Sequence, residues 1–379
     1  AAFVPRAGRD YFEHRNSDEG PGARRNVSEL SPWIRLRVLP EWEVIQAVLD
    51  EHDVAAASKF IDEVCWRTYW KGWLQLRPAV WTGYGERLNE LKSAGGITAD
   101  VQAAMAGETG IDCFDAWSQE LVETGYLHNH ARMWTASIWI HTLKLPWELG
   151  ADWFLRHLLD GDPASNTLSW RWVAGLHTAG KTYLATRENI RRFTGDRFAV
   201  TGDLATTPVA VDFESPPAAL SLSTLAGTTS GRRNGFLLTD EDLSAAQWLA
   251  GSLVPELLVG LFPREAYERM GIAEPVARFR REAMQSALAS RDGAALVESV
   301  VQMANWIRDA GIDTLLMAEP PVGIWTDMMP RIVQTCEEAG VQLSLRRHGW
   351  DHLLWPHAAH GFFRFKKAIP QAIARLSEW

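Results

Sequence analysis

The sequence is poor in cysteine and contains no long apolar run. Its three cysteines, Cys65, Cys113 and Cys336, are widely separated in a chain of 379 residues. They cannot form a four-cysteine zinc or iron–sulfur site, and an odd number argues against a secreted disulfide framework. The longest apolar run, residues 248–262, includes Glu256 and is shorter than the roughly 20 residues that a membrane-spanning helix needs. We therefore expect a cytoplasmic protein that does not insert into membranes.

The sequence also lacks an excess of positive charge and a glycine-rich phosphate loop. With 38 lysines and arginines against 47 aspartates and glutamates, the net charge is −9. Binding to nucleic acid would therefore need a local basic patch rather than a basic domain. Neither the Rossmann nor the P-loop pattern of glycines is present. The sequence does not begin with methionine, which leaves open processing or an upstream segment.

Tryptophan, by contrast, is abundant. The chain has 19 tryptophans, most of them before residue 173, which is more than a core needs for volume. Such a density is compatible with stacking, electron transfer or a response to light.

One stretch divides the chain into two parts. Residues 199–234 are rich in Thr, Ser, Pro, Ala and Gly and show no sustained periodicity, which predicts a linker. We therefore expect one domain over residues 1–198 and a second over residues 235–379.

The first part has the apolar spacing of helices. Residues 147–159 place apolar side chains on one face, and Gly161 follows where a helix would end. The same spacing predicts two further helices, through Phe60, Val64, Tyr69 and Trp73 and through Met133, Ser137 and Ile140. The first domain is thus predicted to be all-helical.

The second part alternates helices and strands. A helical stripe ends at Gly311 before the apolar run 312–318, and another helix ends at Gly340 before residues 341–345. The first stripe consists of Leu296, Val297, Val300, Ala304 and Ile307, and the second helix contains Ile332, Val333 and Cys336. Residues 235–238 form a further candidate strand. This alternation predicts βαβ units and a smaller α/β domain with a parallel sheet.

Three segments of the first part combine charged, amide and aromatic side chains. On the helix of residues 61–70, four such side chains share one side: Glu63, Trp66, Arg67 and Trp70. Residues 125–133 place amide, imidazole and guanidinium groups before an apolar helix, and residues 159–172 hold two carboxylates, an amide and two tryptophans. Taken alone, the first two suit a surface salt bridge and a polar helix start. The third is hard to explain as core.

Four motifs occur in a fixed order: 27–31 (VSELS), 62–69 (DEVCWRTY), 124–133 (TGYLHNHARM) and 160–172 (DGDPASNTLSWRW). They match the patterns TSxLS, NELxWREF, TGxxHNRxRM and DGDxAxNxxxWQW of the flavin-binding half of the photolyase and cryptochrome family. Over residues 11–172 the chain therefore resembles that family, and in particular its short prokaryotic photolyase-like members.

The resemblance implies that the helical domain holds FAD in a U-shape. The residues implied to contact the phosphates and ribityl chain are Tyr11, Ser28, Leu30 and Ser31. Those implied to line the isoalloxazine are Arg67, Asn129 and Arg132. Arg132 would pair with Asp160 near the ring, and Asp162 would accept a hydrogen bond from the ring edge. Asn166 would face the flavin N5 atom, where a neutral amide permits the fully reduced anionic flavin more readily than a carboxylate.

The resemblance also implies a substrate and an electron path. The residues that match those around a flipped-out pyrimidine dimer are Glu63, Trp66, Met133 and Trp172, which with Asn166 form the implied catalytic set. Six-four photolyases place histidines where Asn129 and Met133 stand, so we expect the cyclobutane dimer. Trp170 and Trp147 match the first two members of the family's tryptophan chain. The third falls near Ala94, where this sequence departs from the family.

The second domain departs from the family's order. Family members place an α/β antenna domain before the flavin domain, whereas here the α/β part follows, as a rearranged or reduced antenna domain or an unrelated one. The ending, residues 360–376, weakly resembles the final strand and helix of the antenna domain. A histidine-rich segment here offers a possible metal cluster: His348, His352, His357 and His360 with Asp351. The hydrophobic residues between them and Pro356 favour a structural role, so we expect no metal.

We expect light-driven repair of DNA, in which excited reduced FAD gives an electron that splits a cyclobutane pyrimidine dimer. The alternative is a cryptochrome-like blue-light photoreceptor without repair activity, and a third option is a light-independent flavoprotein. The expected partner is DNA that contains pyrimidine dimers, and the expected state is a monomer. The antenna chromophore is left open.

Overall fold

A computed structural model of the chain describes residues 2–178, 181–211, 213, 215–225, 233–249, 257–289 and 291–378. Residues 212, 214 and 226–232 of the predicted linker, and residues 250–256 of the longest apolar run, lie outside the described residues. The chain divides into two units. The first consists of Ala1–Glu29, Ala47–Glu63 and Arg77–Ala218, and the second of Leu30–Gln46, Val64–Leu76 and Ala219–Trp379. The domain boundaries drawn from the sequence stay a prediction.

The first 200 residues contain helices and no strand among the residues described there. The helices are α1 (Arg9–His14), α2 (Ser31–Arg35), α3 (Glu41–Leu49), α4 (Val54–Gln75), α5 (Ala79–Ser93), α6 (Ala99–Ala106), α7 (Asp112–Thr124), α8 (Asn129–Ser137), α9 (Trp147–His157), α10 (Pro163–Val173) and α11 (Arg187–Phe193). Helix α2 belongs to the second unit, and α3 and α4 each have residues in both. The three helices predicted from apolar spacing are confirmed as α4, α8 and α9, and α8 continues into a π-helical turn, Ile138–Thr142.

Two of these helices begin or end where the sequence provides a stop signal. Helix α7 ends at Gly125, whose φ of 68° is the left-handed conformation that glycine adopts without strain. Helix α10 begins after Asp162, whose carboxylate accepts a hydrogen bond from the Ser165 N–H at 2.7 Å, and Pro163 occupies the first helical position. These signals fix the chain where the polar motifs of residues 124–133 and 160–172 begin.

The second unit contains a parallel sheet, as predicted. Its strands are β1 (Asn234–Leu238), β2 (Leu257–Leu261), β3 (Ala295–Val297), β4 (Thr314–Ala318) and β5 (Gln342–Arg346). They are arranged in the order β3-β2-β1-β4-β5, and all neighbouring pairs are parallel. The helices of this part are α12 (Ala245–Leu249), α13 (Arg264–Met270), α14 (Glu274–Ala289), α15 (Val300–Ala310), α16 (Ile324–Glu338), α17 (Gly349–Leu354), α18 (Phe362–Phe365) and α19 (Ile369–Ile373).

Most of the predicted elements of this unit are confirmed. Residues 235–238, 312–318 and 341–345 contain β1, β4 and β5, and the helices before Gly311 and Gly340 are α15 and α16. Strand β2 was not predicted, because it lies at the end of the longest apolar run, residues 248–262, and no predicted helix that ends at a glycine precedes it. No helix in the described part of the chain is long and apolar enough to cross a membrane.

Two sequence predictions in this unit are wrong. Leu296 and Val297 do not begin a helix but lie in β3, where Val297 pairs with Leu261. Helix α15 starts only after Ser299, whose hydroxyl accepts a hydrogen bond from the Gln302 N–H at 3.2 Å. The predicted final strand in residues 360–376 is absent from this described segment, which instead forms α18, α19 and short 3₁₀ turns.

Buried ion pairs join parts of the second unit that are distant in sequence. Directly after β1, Glu241 accepts hydrogen bonds from Arg35 at 2.6 Å and from Lys71 of α4 at 3.1 Å. Its neighbour Asp242 accepts one from Arg37 at 3.0 Å. Because a buried charge is costly without its partner, these pairs hold α2, the residues just after it and the second half of α4 at the carboxyl end of the sheet.

Candidate functional site

Arg132 and Asp160 form an ion pair in the first unit, as the resemblance implied. The Arg132 Nη1 lies 3.0 Å from the Asp160 Oδ2, and the Asp160 side chain is buried. The Arg132 Nε donates a hydrogen bond to the Leu127 carbonyl at 2.9 Å, which fixes the orientation of the guanidinium. A quarter of the arginine side chain, 24%, remains exposed. The pair therefore presents a positioned cation that is already partly neutralised.

The loop before α8 orients this arginine. His128 caps the helix: its Nδ1 accepts a hydrogen bond from the His130 N–H at 3.2 Å, and its Nε2 is 3.0 Å from the Arg15 carbonyl. Burial lowers the pKa of both His128 and His130 to about 4, so both rings are neutral at physiological pH. Asn129, the first residue of the helix, is exposed. The two histidines thus serve the local structure of the motif.

Tyr126 is a neighbour of the ion pair that the sequence did not identify. Two guanidinium groups contact its ring: the Cζ atoms of Arg24 and Arg132 lie 5.1 and 5.5 Å from the ring centroid. Burial raises the pKa of the Tyr126 hydroxyl to about 12. Cation–π contacts of this kind restrict the arginine side chains. The motif that surrounds it, residues 124–133, was the signal that could have identified Tyr126.

The start of α10 carries the other implied flavin residues of the first unit. Asp162 is buried and caps the helix, and the amide nitrogen of Asn166 donates to the Ala151 carbonyl at 2.7 Å. Ser165 Oγ and Thr167 Oγ1 are buried and have no hydrogen-bond partner among the described residues. Nothing in the sequence pattern distinguished these two hydroxyl groups.

The implied substrate residues of the first unit have different environments. Glu63 is exposed to solvent. The pKa of its carboxyl is nevertheless raised by desolvation and by the nearby Asp62, while Arg15 and Lys59 oppose the shift. Met133 and Trp172 are half-buried, and Trp172 stacks on Tyr183 with ring centroids 5.6 Å apart.

Tyr11, an implied flavin residue, lies in an aromatic cluster of the first unit. Its ring contacts Phe60 edge to face, with centroids 5.2 Å apart. Burial is the main cause that raises the pKa of its hydroxyl, and the Glu63 charge adds to it. Ser28 is half-buried.

Four of the implied site residues, Leu30, Ser31, Trp66 and Arg67, belong to the second unit. Ser31 begins α2, and its hydroxyl is buried without a hydrogen-bond partner among the described residues. Leu30 and Arg67 are half-buried. The indole of Trp66 is stacked on the phenyl ring of Phe362, a contact that the sequence did not predict.

The two implied electron-transfer tryptophans have different ring neighbours. Trp170 contacts Phe154 and Trp139 edge to face, with centroids 5.0 and 6.1 Å away. Trp147 lies 5.6 Å from Tyr84, and Tyr84 lies 5.5 Å from Trp81. Tyr84 and Trp81 are on α5, the helix capped by Ala94. Aromatic rings therefore continue from Trp147 although a tryptophan is missing near Ala94.

The histidine-rich segment forms no metal cluster in the part of the chain that the structure describes. His348 stacks on Trp42 with centroids 3.9 Å apart, and its Nδ1 accepts a hydrogen bond from the Trp350 N–H. Burial lowers the pKa of His348 to about 3, so the ring is neutral and acts as a packing and capping group.

The implied FAD residues fit that cofactor in their chemistry. A buried hydroxyl group without a partner costs about 1–3 kcal/mol, so Ser165 and Thr167 of the first unit, on either side of the implied residue Asn166, favour a ligand that supplies hydrogen-bonding atoms. The Arg132–Asp160 pair offers a cation suited to an electron-rich ring system. Both features are expected of a site for a phosphate-bearing flavin.

Comparison with known proteins finds similarity to the same family. Residues 60–197 match the family described as "FAD binding domain of DNA photolyase". A deoxyribodipyrimidine photo-lyase from Streptomyces griseus is 32% identical over 178 residues, which are 47% of this chain and 38% of the relative. One from Vibrio cholerae is 27% identical over 203 residues, which are 51% of this chain and 41% of the relative. The chain thus spans about two fifths of the length of these relatives.

Two solved structures are also similar. A class III photolyase from Agrobacterium tumefaciens has 27% identity and a TM-score of 0.40, over 50% of this chain and 42% of that chain. A cryptochrome from Synechocystis has 25% identity and a TM-score of 0.41, over 48% of this chain and 39% of that chain. Residues 60–197 of the chain are thus similar to the FAD-binding domain of DNA photolyase.

Proposed function

We propose that this protein is a light-driven lyase that splits cyclobutane pyrimidine dimers in DNA. The observation that carries the proposal is the match of residues 60–197 to the FAD-binding domain of DNA photolyase, because Glu63 and Met133, at positions implied to face the dimer, lie within that segment. Only the protonated form of the Glu63 carboxyl can donate a hydrogen bond to a pyrimidine carbonyl. We further propose that the protein acts as a monomer in the cytoplasm.

The residues of the chain prepare the reaction. When bound, FAD in its reduced and light-excited form supplies the electron that opens the two ring bonds of the dimer. Arg132, oriented by Asp160 and by the Leu127 carbonyl, would supply a positive charge to the flavin ring. Asn166, held by the Ala151 carbonyl, presents a neutral amide rather than a second carboxylate. These groups position charge before the reaction, so little reorganisation is needed during it.

The substrate side uses a hydrogen bond and apolar contact. Protonated Glu63 would donate a hydrogen bond to the pyrimidine carbonyl, where negative charge develops as the dimer gains an electron. A donor that is aimed at developing charge stabilises the transition state more than the bound substrate. Met133 and Trp172 are half-buried, which leaves part of each side chain available to contact a base taken out of the DNA stack.

The α/β part of the second unit is proposed to be a rearranged antenna-like domain. Its central strand β1 has β2 on one side and β4 on the other. The chain therefore builds the sheet from β1 towards β3 first and then on the opposite side of β1 with β4 and β5, which makes the boundary between β1 and β4 a topological switch point. In open parallel sheets, ligands bind beyond the carboxyl ends of the strands at such a point. Here that edge carries the Arg37–Asp242 and Lys71–Glu241 pairs.

A blue-light photoreceptor without repair activity is the second candidate. The observation that favours it is the stack of Phe362 on Trp66, because Trp66 is implied to stack on the dimer and one of its faces is already covered. A protein that never admits a dimer could keep this contact permanently.

The test is light-driven repair by the purified protein loaded with FAD. After chemical reduction of the flavin, the protein is illuminated with an oligonucleotide that contains one thymine dimer, and recovery of thymine absorbance is followed. We expect recovery in light, none in the dark, and a lower yield for Glu63→Ala. A fully reduced protein that leaves the dimer intact, yet changes its own flavin spectrum in blue light, would favour the photoreceptor.

A further inference from the structure

The carboxyl-terminal segment combines positive charge with an exposed aromatic ring. Residues 352–377 contain four arginines and lysines and no aspartate or glutamate, in a chain whose net charge is −9. Arg375 pairs with Glu378. Arg364 and Lys367 are exposed and form no ion pair within the described part of the chain. This segment is therefore a local basic patch, which an acidic protein needs in order to bind nucleic acid.

Phe363 is the most exposed large hydrophobic residue in the described part of the chain, with 86% of its surface accessible. Single exposed apolar residues are common and mean little alone. Phe363, however, directly precedes Arg364 and lies three residues before Lys366 and four before Lys367. A flat ring among cations is the arrangement that binds single-stranded nucleic acid, because bases stack on the ring while cations contact the phosphates.

The segment is held rigidly in the second unit. Phe362 and Phe365 of α18 are buried, and both pack on Tyr69 of α4, with centroids 5.5 and 5.4 Å from its ring. Phe362 also stacks on Trp66. The side chains of Phe363 and Arg364, between these two anchors, are exposed. A fixed platform loses little conformational entropy when a ligand binds, which favours recognition over accidental exposure.

We propose that Phe363, Arg364 and Lys367 bind the DNA strand beside the lesion. Phe363 stacks on a base that has lost its pairing partner, and the two cations contact the adjacent phosphates. The proposal rests on the proposed function, because it takes the partner to be DNA, and it adds a surface outside the family-matched residues 60–197. A single strand or a distorted duplex is the expected ligand, since intact duplex offers no open base face.

The experiment compares variants of the FAD-loaded protein for binding to fluorescein-labelled oligothymidylate by anisotropy. Phe363→Ala should weaken binding by about tenfold or more, and Phe363→Trp should retain it. Val301→Ala is the matched control, because Val301 is 64% exposed on α15 and lies outside the segment. Arg364→Gln with Lys367→Gln should lower the salt dependence of binding by about 1.4 in log–log slope, which corresponds to two phosphate contacts. The control double variant, Arg278→Gln with Arg331→Gln, has the same net charge as Arg364→Gln with Lys367→Gln. It should leave the wild-type slope of log affinity against log salt unchanged.

Each outcome separates the surface from the repair activity. If Phe363→Ala binds oligothymidylate as tightly as wild type while wild type repairs dimers, the surface proposal is wrong and the proposed function stands. If wild type binds through Phe363 but repairs nothing, the proposed function is wrong and the surface stands. Binding to phosphatidylserine vesicles in place of any DNA would overturn the surface proposal, since cations beside an aromatic ring also suit a membrane surface.

Discussion

The indole of Trp66 and the phenyl ring of Phe362 lie parallel, with centroids 3.8 Å apart and an angle of 8° between the planes. Trp66 is implied to stack on the dimer, so Phe362 occupies a face that a substrate base could use. The contact is part of a larger cluster, because Tyr69 and Phe365 pack around Phe362. The phenyl ring of Phe362 thus packs the cluster and covers the face of Trp66 on which a dimer base is proposed to stack.

Phe362→Leu tests that competition. Leucine keeps most of the packed volume, so we expect the free energy of unfolding to fall by only about 1 kcal/mol. Leucine offers no flat face, so dimer-containing DNA should bind more tightly, while undamaged DNA of the same sequence binds as before. Titration of both oligonucleotides, with urea unfolding as the stability control, gives the answer. Weaker binding of the dimer would mean that Phe362 supports Trp66 instead of competing with it.

Trp66→Ala should act in the opposite direction. Stacking of a base on an aromatic ring is worth about 1–3 kcal/mol, so affinity for dimer-containing DNA should fall roughly ten- to a hundredfold. Binding to undamaged DNA depends on phosphate contacts and should change little. The same titration measures both. Equal losses for damaged and undamaged DNA would show that Trp66 supports the fold rather than the lesion.

Arg132→Ala should release the flavin. The substitution leaves the buried Asp160 carboxylate without its guanidinium partner, which costs about 3–5 kcal/mol. The absorbance of flavin that stays with the protein after gel filtration measures the loss. Arg132→Lys keeps the charge but not the two-sided hydrogen bonding to Asp160 and the Leu127 carbonyl, so it should retain part of the flavin. Full retention by Arg132→Ala would contradict the placement of this pair at the cofactor.

The parts of the molecule that the sequence predicted are those set by local pattern or by charge. Helical spacing located α9, glycines marked the ends of α15 and α16, and the family resemblance implied the pairing of Arg132 with Asp160. The Trp66–Phe362 stack was not predictable, because it joins two segments that are far apart in the chain and no local pattern encodes such a contact. The buried hydroxyl groups of Ser165 and Thr167 were not predictable either, since the burial of a hydroxyl group is known only from the structure.

Glu63 predicts a pH dependence. Its pKa is raised above the ordinary carboxyl value, chiefly by desolvation, so the protonated donor is present at low pH and is lost as pH rises through that raised pKa. The repair yield of the chemically reduced protein should fall over the same window. Glu63→Gln carries a donor at every pH and should remove the dependence.

The free energy of unfolding provides an independent test of the raised pKa of Glu63. A carboxyl whose pKa is higher in the folded state favours folding while protonated, and this contribution is lost as pH rises from its unfolded to its folded pKa. Glu63→Gln should therefore be more stable than wild type above that window and similar below it, by urea unfolding at several pH values. A yield and a stability difference that both stay flat with pH would show that Glu63 titrates normally.

Trp170→Phe should separate electron supply from repair. Phenylalanine keeps the edge-to-face packing against Phe154 and Trp139 but is much harder to oxidise than tryptophan. The variant should retain flavin and should repair dimers once its flavin is chemically reduced, yet it should lose photoreduction in blue light.

Tyr84→Phe tests whether electrons continue from Trp147, because the Tyr84 ring centroid lies within 5.6 Å of the centroids of both Trp147 and Trp81. If electrons reach the surface through Trp147, Tyr84 and Trp81, Tyr84→Phe should slow photoreduction, whereas Trp139→Phe should photoreduce at the wild-type rate. If Trp139→Phe is the slower of the two, electrons instead follow the contact from Trp170 to Trp139.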